Sequence, residues 1–215
     1  MFGYPMRVGK GGVVVILRPL TSDDLPVIAK GFGSLEIAKY LAQYAPKMIE
    51  DEREWYEKVR TSNNDVVWGI EYDGKLVGIT GLHHLFDLRK PVVAPISGIA
   101  IWNKSLWGRG IASRSHLART LYAANHLYAA RIDSTVRTVN VASIRALERV
   151  GYTKWGEEPR SVFREGMWLD TYHLTWFHPD RVREFWPEGE PEIYKEGLRK
   201  AREALGEARK VVNYI

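Results

Sequence analysis

The 215-residue sequence contains no cysteine. Disulfides, thiolate metal sites and a cysteine nucleophile are therefore excluded, and a reducing, cytoplasmic setting is the natural expectation. There is a single glutamine, Gln43, a scarcity compatible with a heat-adapted source. Long apolar runs are missing too. The longest, Gly-Gly-Val-Val-Val-Ile-Leu over 11–17, falls far short of the roughly 20 residues a membrane helix needs. Residues 1–12 carry positive charge without the apolar stretch and small-residue cleavage pattern of a secretory leader. No internal repeat or low-complexity tract is present, and the His, Asp and Glu residues show no zinc spacing, His116 and His126 standing ten apart. No metal and no membrane are expected.

Lys and Arg exceed Asp and Glu by 31 − 26 = 5, scattered along the chain instead of gathered in blocks. That surplus suits an anionic ligand, but with neither basic patch nor nucleic-acid motif it does not point to DNA or RNA. The eight tryptophans are spread over several elements and read as core and interface material, not as a base-stacking platform.

One stretch carries chemistry. Leu106 to Ala118 (LWGRGIASRSHLA) packs Gly108-Arg109-Gly110 immediately before a helical pattern. Unpaired amides in the first turn of a helix form an anion site, and glycine lets the anion approach the main chain. A P-loop is excluded, because Gly9-Lys10 and Gly74-Lys75 lack both the leading glycine and the following hydroxyl. A dinucleotide fingerprint fails at two points: Ser113 stands where the third glycine belongs, and Asp133 opens its strand instead of closing it. Gly-x-Ser-x-Gly is also absent, so no nucleophile elbow is present.

Periodicity and turn residues predict a strand over 13–20, a helix starting at Thr21 or Ser22, and a second amphipathic helix over 49–62. Two strands joined at Asp73-Gly74 follow, then a third at 95–102 reached through a loop around Lys90 and Pro91. Beyond the glycine loop come a helix over 111–128, a strand over 130–136, a capped helix over 140–151 and a strand over 167–177. The order predicts an α/β (α+β) fold, a single domain with a mixed, mostly antiparallel sheet flanked by helices. The domain is expected over 1–178. From 179 a C-terminal extension begins, with an amphipathic helix over 192–215 whose apolar stripe (Tyr194, Leu198, Ala201, Leu205, Ala208, Val212) docks on its own domain or on a second copy in a homodimer.

The segment from Ile99 to Glu157 resembles the cofactor-binding core of the GNAT superfamily of N-acetyltransferases, and more narrowly the Rim-type branch of ribosomal-protein N-terminal acetyltransferases. The resemblance rests on Trp107-Gly108-Arg109-Gly110, Asn140-Val141-Ala142-Ser143 and Gly151-Tyr152 in that order, and spans roughly 13 to 178. It implies that acetyl-CoA is the acetyl donor. Ile99, Ala100, Ile101 and Trp102 would meet the pantetheine arm; Trp107, Gly108, Arg109, Gly110, Ile111, Ala112 and Ser113 would hold the diphosphate; Asn140 and Ser143 would complete the cofactor site. Arg114 is a further phosphate candidate, with plain solvation of Arg109 and Arg114 as the alternative.

The resemblance also implies transfer of the acetyl group to a primary amine, a protein N-terminus or a small molecule, by direct attack. The tyrosine acid of many members is missing, since its position holds Leu147. Ser143 takes the place of the branch's proposed serine acid, the alternative being a helix cap or a pantetheine contact. For the base, His84 and Asp170 are the candidates, with His83 beside them and a water chain as a further option. Adjacent strand residues point to opposite faces, so one histidine of the pair should face the cleft. Should the missing tyrosine mean lost activity, the chain would be a non-catalytic acyl-CoA-binding module.

Overall fold

The β-branched run Val13–Arg18 forms β2, turning back through Gly11-Gly12 onto a strand that the sequence pattern does not predict, β1 (Met6–Lys10). The computed structural model describes residues 1–41, 45–86 and 93–215. After β2 come α1 (Leu25–Phe32), the single turn α2 (Leu35–Ala38) and α3 (Ile49–Thr61). The predicted hairpin is β3 (Asp65–Tyr72) and β4 (Lys75–His83), with Asp73 and Gly74 both at positive φ as its turn requires. The loop placed around Lys90 and Pro91 lies outside the described residues. Then follow β5 (Ile96–Ile101), α4 (Ile111–His126), β6 (Arg131–Arg137), α5 (Val141–Arg149), β7 (Thr153–Arg164), β8 (Met167–Phe177), α6 (Glu192–Val211) and β9 (Val212–Tyr214).

Among the described residues the strands form one sheet in the order β7-β8-β6-β5-β4-β3-β2-β1-β9. Every neighbouring pair is antiparallel except β5 and β6, which run parallel and meet only at Ile96 and Asp133. Past that pair the two strands diverge, and the sheet is split between its third and fourth strands.

Helix α4 covers the sheet beneath the split and is buried on nearly all sides from Ser115 to Ala124, so its sequence shows no single apolar stripe and its polar residues, His116 and Arg119 among them, are buried too. Trp68 of β3 is fully buried and meets Tyr122 of α4 edge to face at 5.0 Å. Helix α6 lays Leu198, Ala201, Leu205 and Ala208 against α4, α5 and the β7–β8 hairpin, while Arg199 pairs with Glu196 and Glu203 outside. Its contact with α5 is close. Gly151, at φ 100° past the end of α5, sits where a Cβ would fall 2.5 Å from the Ala201 nitrogen.

The expected tail helix is thus shorter than 192–215. The chain leaves it at Val212 and pairs with β1, Met6 opposite Tyr214, because Val-Asn-Tyr completes an otherwise open edge. Among the described residues no helix is long and apolar enough to cross a membrane.

Candidate active site

The divergence of β5 from β6 opens a cleft of about 760 Å³ that runs from the start of α4 to α3, a size usual for a small-molecule site. One wall is the β5 backbone, Ser97 to Ile101; the opposite wall is Ser134 to Arg137 of β6 and the first turns of α5.

The glycine loop closes one end. Gly108 and Gly110 both stand at φ 78°, a left-handed conformation that side chains resist. Gly110 is the residue before α4, and the first helical bond is that from Arg114 N–H to its carbonyl. The amides at the start of the helix therefore have no carbonyl of their own to bind, and Gly110, Ile111, Ala112 and Ser113 all line the cleft. Trp107 fastens the loop to the sheet by donating from Nε1 to the Ile101 carbonyl at 3.0 Å.

Of the residues expected around the cofactor, Ile99, Ala100, Ile101, Trp107, Gly108, Asn140 and Ser143 line the same cleft. Three do not. Trp102 is turned toward α1, against Gly31 and Phe32, because β5 ends at Ile101 and its side chain fills the space left by a glycine. Arg109 is exposed and lies off the lining. Arg114 turns its guanidinium back onto the carbonyls of Gly110 and Lys10, bracing the loop from behind.

The arginines on the lining among the described residues are others, Arg137, Arg145 and Arg149, which the sequence motifs do not single out. The i, i+4 spacing of Arg145 and Arg149 on the capped helix is the signal available for them. On this lining the acids are Asp51 and Glu52, both in the first turn of α3 at the other end. Lys47 shares that end and Trp55 of α3 walls it, whereas Tyr40 meets Trp107 of the glycine loop edge to face at 5.7 Å. The cleft is therefore amide-rich where the glycine loop closes it, and at the α3 end it carries two carboxylates beside one lysine.

Ser143 sits in the first turn of α5. Its amide donates to Asn140 Oδ1 at 3.2 Å, so Asn140 is the cap, and the Ser143 hydroxyl makes no hydrogen bond among the described residues. Leu147, where a tyrosine acid would stand, is buried on the lining.

The histidine pair divides as alternation requires, but opposite to the expectation for His84. His83 lines the cleft; β4 ends there, and His84 at φ 57° is exposed and off the lining. Nδ1 of His83 lies 2.9 Å from Asp65 Oδ1. Burial raises the Asp65 carboxyl, but hydrogen bonds from Ser62 and His83 outweigh it and hold the group below the usual carboxylate range. A carboxylate only accepts, so Nδ1 donates and the neutral ring carries its lone pair on Nε2. That atom lies over Gly81, where a Cβ would come within 2.8 Å of it.

Asp170 is likewise off the cleft. Its Oδ1 accepts from the Arg160 amide at 2.7 Å, where β7 is irregular between Glu158 and Val162 and Arg160 stands at φ 49°. It holds a bulge in the β7–β8 hairpin. No group of three or more His, Asp or Glu residues suited to a metal occurs among the described residues.

A parallel pair splayed within an antiparallel sheet, with a glycine loop feeding the helix beneath it, defines a class. Residues 15–153 match the family model described as the acetyltransferase (GNAT) domain, and the chain belongs to that family. It is an acetyl-CoA-dependent acyltransferase by class. Among curated relatives, an uncharacterized N-acetyltransferase of Bacillus subtilis, YoaA, is 28% identical over 166 residues, 73% of this chain and 89% of its own. A probable N-acetyltransferase of the same organism, YjcK, is 26% identical over 142 residues, 66% of this chain and 71% of its own. Of solved structures, Mycobacterium smegmatis RimJ in complex with CoA-disulfide shares the fold at a TM-score of 0.69 and 20% identity, covering 98% of this chain and 95% of its own. Vibrio cholerae spermidine N-acetyltransferase in complex with CoA and spermine does so at 0.68 and 20% identity, covering 78% and 98%.

Proposed function

We propose that the chain transfers the acetyl group of acetyl-CoA to a primary amine delivered from the α3 end of the cleft, in the manner of the Rim-type branch. The observation that carries this reading is the distribution of charge along one cleft: Arg137, Arg145, Arg149 and the loop amides on one part of the lining, and two carboxylates, Asp51 and Glu52, against the single cation Lys47 at the α3 end. A polyanionic donor and a cationic acceptor are drawn to different parts of it and meet between them. RimJ, in complex with CoA-disulfide, and the spermidine enzyme, in complex with CoA and spermine, share this fold. Trp107-Gly108-Arg109-Gly110 and Asn140 to Ser143 are the residues that favour the Rim-type pattern.

The donor site fits the group. The amides of Gly110 to Ser113 and the dipole of α4 suit a diphosphate, the exposed edge of β5 suits an amide-bearing arm, and Arg145 and Arg149 suit further phosphate. Bound acetyl-CoA supplies a thioester carbonyl open to attack. This chain's residues do the rest: His83, oriented by Asp65, takes a proton at Nε2, and Ser143 offers its hydroxyl on the α5 side of the cleft.

Two measurements test this. Calorimetric titration with acetyl-CoA should give one site per chain, and a thiol reagent should report CoA release with an amine present, against no protein thiol background. Binding without release would leave a non-catalytic acyl-CoA-binding protein; no binding would remove the donor assignment altogether.

A further inference from the structure

Among the described residues, Glu52 is the one carboxylate on the cleft lining that the fold hides from solvent. Asp51, its neighbour, is exposed and accepts from the Met48 amide at 2.8 Å, as acids in a first turn usually do. Glu52 is turned inward from the same turn, is only 4% exposed, and its carboxylate forms no hydrogen bond or ion pair among the described residues. Lys47, which shares the lining, is itself exposed and forms no ion pair with it.

Withdrawing a carboxylate from water with no partner is costly, and the α3 dipole offsets only part of that cost. Burial accordingly raises its affinity for a proton, Lys47 opposing this and Asp51 adding to it. Among the described residues no donor or cation is paired with the group. On the same side of the cleft stand surfaces suited to an organic cation: Trp55 one turn further along α3, with Ile79 and Val67 from the sheet in one apolar cluster with it. Aromatic faces beside a carboxylate bind an ammonium on an apolar stem better than a neutral or anionic group.

We infer that Glu52 receives the ammonium group of the acceptor, and that the acceptor class is therefore a primary amine that enters the cleft positively charged on an apolar stem. The inference rests on the acetyl-transfer reading for the chemical step, but the binding itself can be measured without turnover. Glu52 is a binding residue here, so its loss raises KM for the amine and leaves kcat and donor binding nearly intact.

The experiment uses the full chain saturated with CoA, which cannot transfer an acetyl group. It is titrated calorimetrically with putrescine, with a hexapeptide bearing a free N-terminal amine, and with the same hexapeptide N-acetylated. The expected result is that the wild-type protein binds putrescine or the free-amine peptide but not the acetylated one. Glu52→Gln should weaken that binding by roughly 30-fold or more, with CoA affinity unchanged to within about twofold, and Glu52→Asp should recover part of the loss. Glu52→Gln keeps the side-chain volume, and unchanged CoA binding certifies its fold. If neither amine binds the wild-type chain, or if Glu52→Gln binds as tightly, the inference is overturned. Failure of the acetyl-transfer reading appears separately, as absent CoA binding or as no CoA release from acetyl-CoA with the amine bound.

Discussion

The guanidinium of Arg119 lies 2.7 Å from Nδ1 of His116, one turn away on α4, and both side chains are fully buried. Arginine only donates, so Nδ1 accepts and His116 is the neutral Nε2–H tautomer. Burial first, and Arg119 second, keep its pKa well below the ordinary value. Arg119 also donates to Thr80 Oγ1 at 2.6 Å and to the Gly98 carbonyl at 2.8 Å, so α4 holds β5 from below at the point where the sheet splits. Arg119→Met should cost about 1–3 kcal/mol by leaving these acceptors short of donors. It should also weaken acetyl-CoA binding, as β5 loses its fixed position; chemical denaturation and calorimetry read the two effects.

The two loop glycines should separate backbone strain from crowding. Both stand at φ 78°, but a Cβ on Gly110 would come 2.4 Å from an Arg114 nitrogen, whereas one on Gly108 meets nothing within 4 Å. Gly108→Ala should cost about 1–2 kcal/mol from the left-handed backbone alone. Gly110→Ala should carry the same backbone cost and in addition displace the end of the Arg114 side chain from the Gly110 and Lys10 carbonyls, loosening the loop and lowering acetyl-CoA affinity by about tenfold, since the residue opens the helix whose amides face the cleft. Thermal unfolding with and without acetyl-CoA checks both.

The histidine pair offers an internal control. His83→Gln and Asp65→Asn should each lower kcat by about 10²-fold or more if His83 takes the proton, while His84→Gln should leave turnover unchanged. Asp170→Asn should affect only stability, through the β7 bulge. A rate loss in His84→Gln equal to that in His83→Gln would reverse the assignment.

Ser143→Ala should lower kcat while leaving acetyl-CoA affinity within about twofold, because the helix cap is made by Asn140 and not by the serine hydroxyl. Asn140→Ala should instead cost about 1 kcal/mol of stability. Equal turnover in Ser143→Ala would remove its role as the acid.

Glu52 and Asp24 should show opposite dependences of stability on pH. The Glu52 pKa is raised by burial, so its folded-state penalty is absent below the unfolded pKa and develops as pH rises through the folded value. Glu52→Gln should therefore unfold at a higher temperature than wild type near neutrality and lose that advantage in acid. Burial would raise Asp24 as well, but hydrogen bonds from Arg18 and the Thr21 amide win and hold it low. Its pair with Arg18, at 2.8 Å, stabilises above the unfolded carboxylate pKa and is lost as pH falls through the folded value. Asp24→Asn should therefore be destabilising near neutrality and converge with wild type in acid. Melting curves across the acid range decide both.

Much of this fold is legible along the chain because the signals are local. The glycine loop, the Asn140 cap, the Asp73-Gly74 turn and the stripe of α6 depend on backbone conformations and helical spacing within a few residues, and each element forms within a few residues of its expected place. Strands β1 and β9 leave no such signal because each is short, three to five residues, and is stabilised by its partner across the sheet and not by its own pattern. Strand β7, mostly exposed along its length, offers no clean alternation.

By itself the sequence determined the glycine-loop end of the cleft: glycines at positive φ and unpaired amides at a helix start follow from residue type and order. Only the tertiary structure decided which other side chains reach the cleft. Whether His83 or His84 faces inward turned on where β4 stops; whether Arg109 or Arg149 reaches the lining turned on how α4 and α5 pack. That Glu52 and not Asp51 is withdrawn from water turned on the rotation of α3 against the sheet. Those outcomes are set by the packing of elements distant in the chain, which no spacing of residues records.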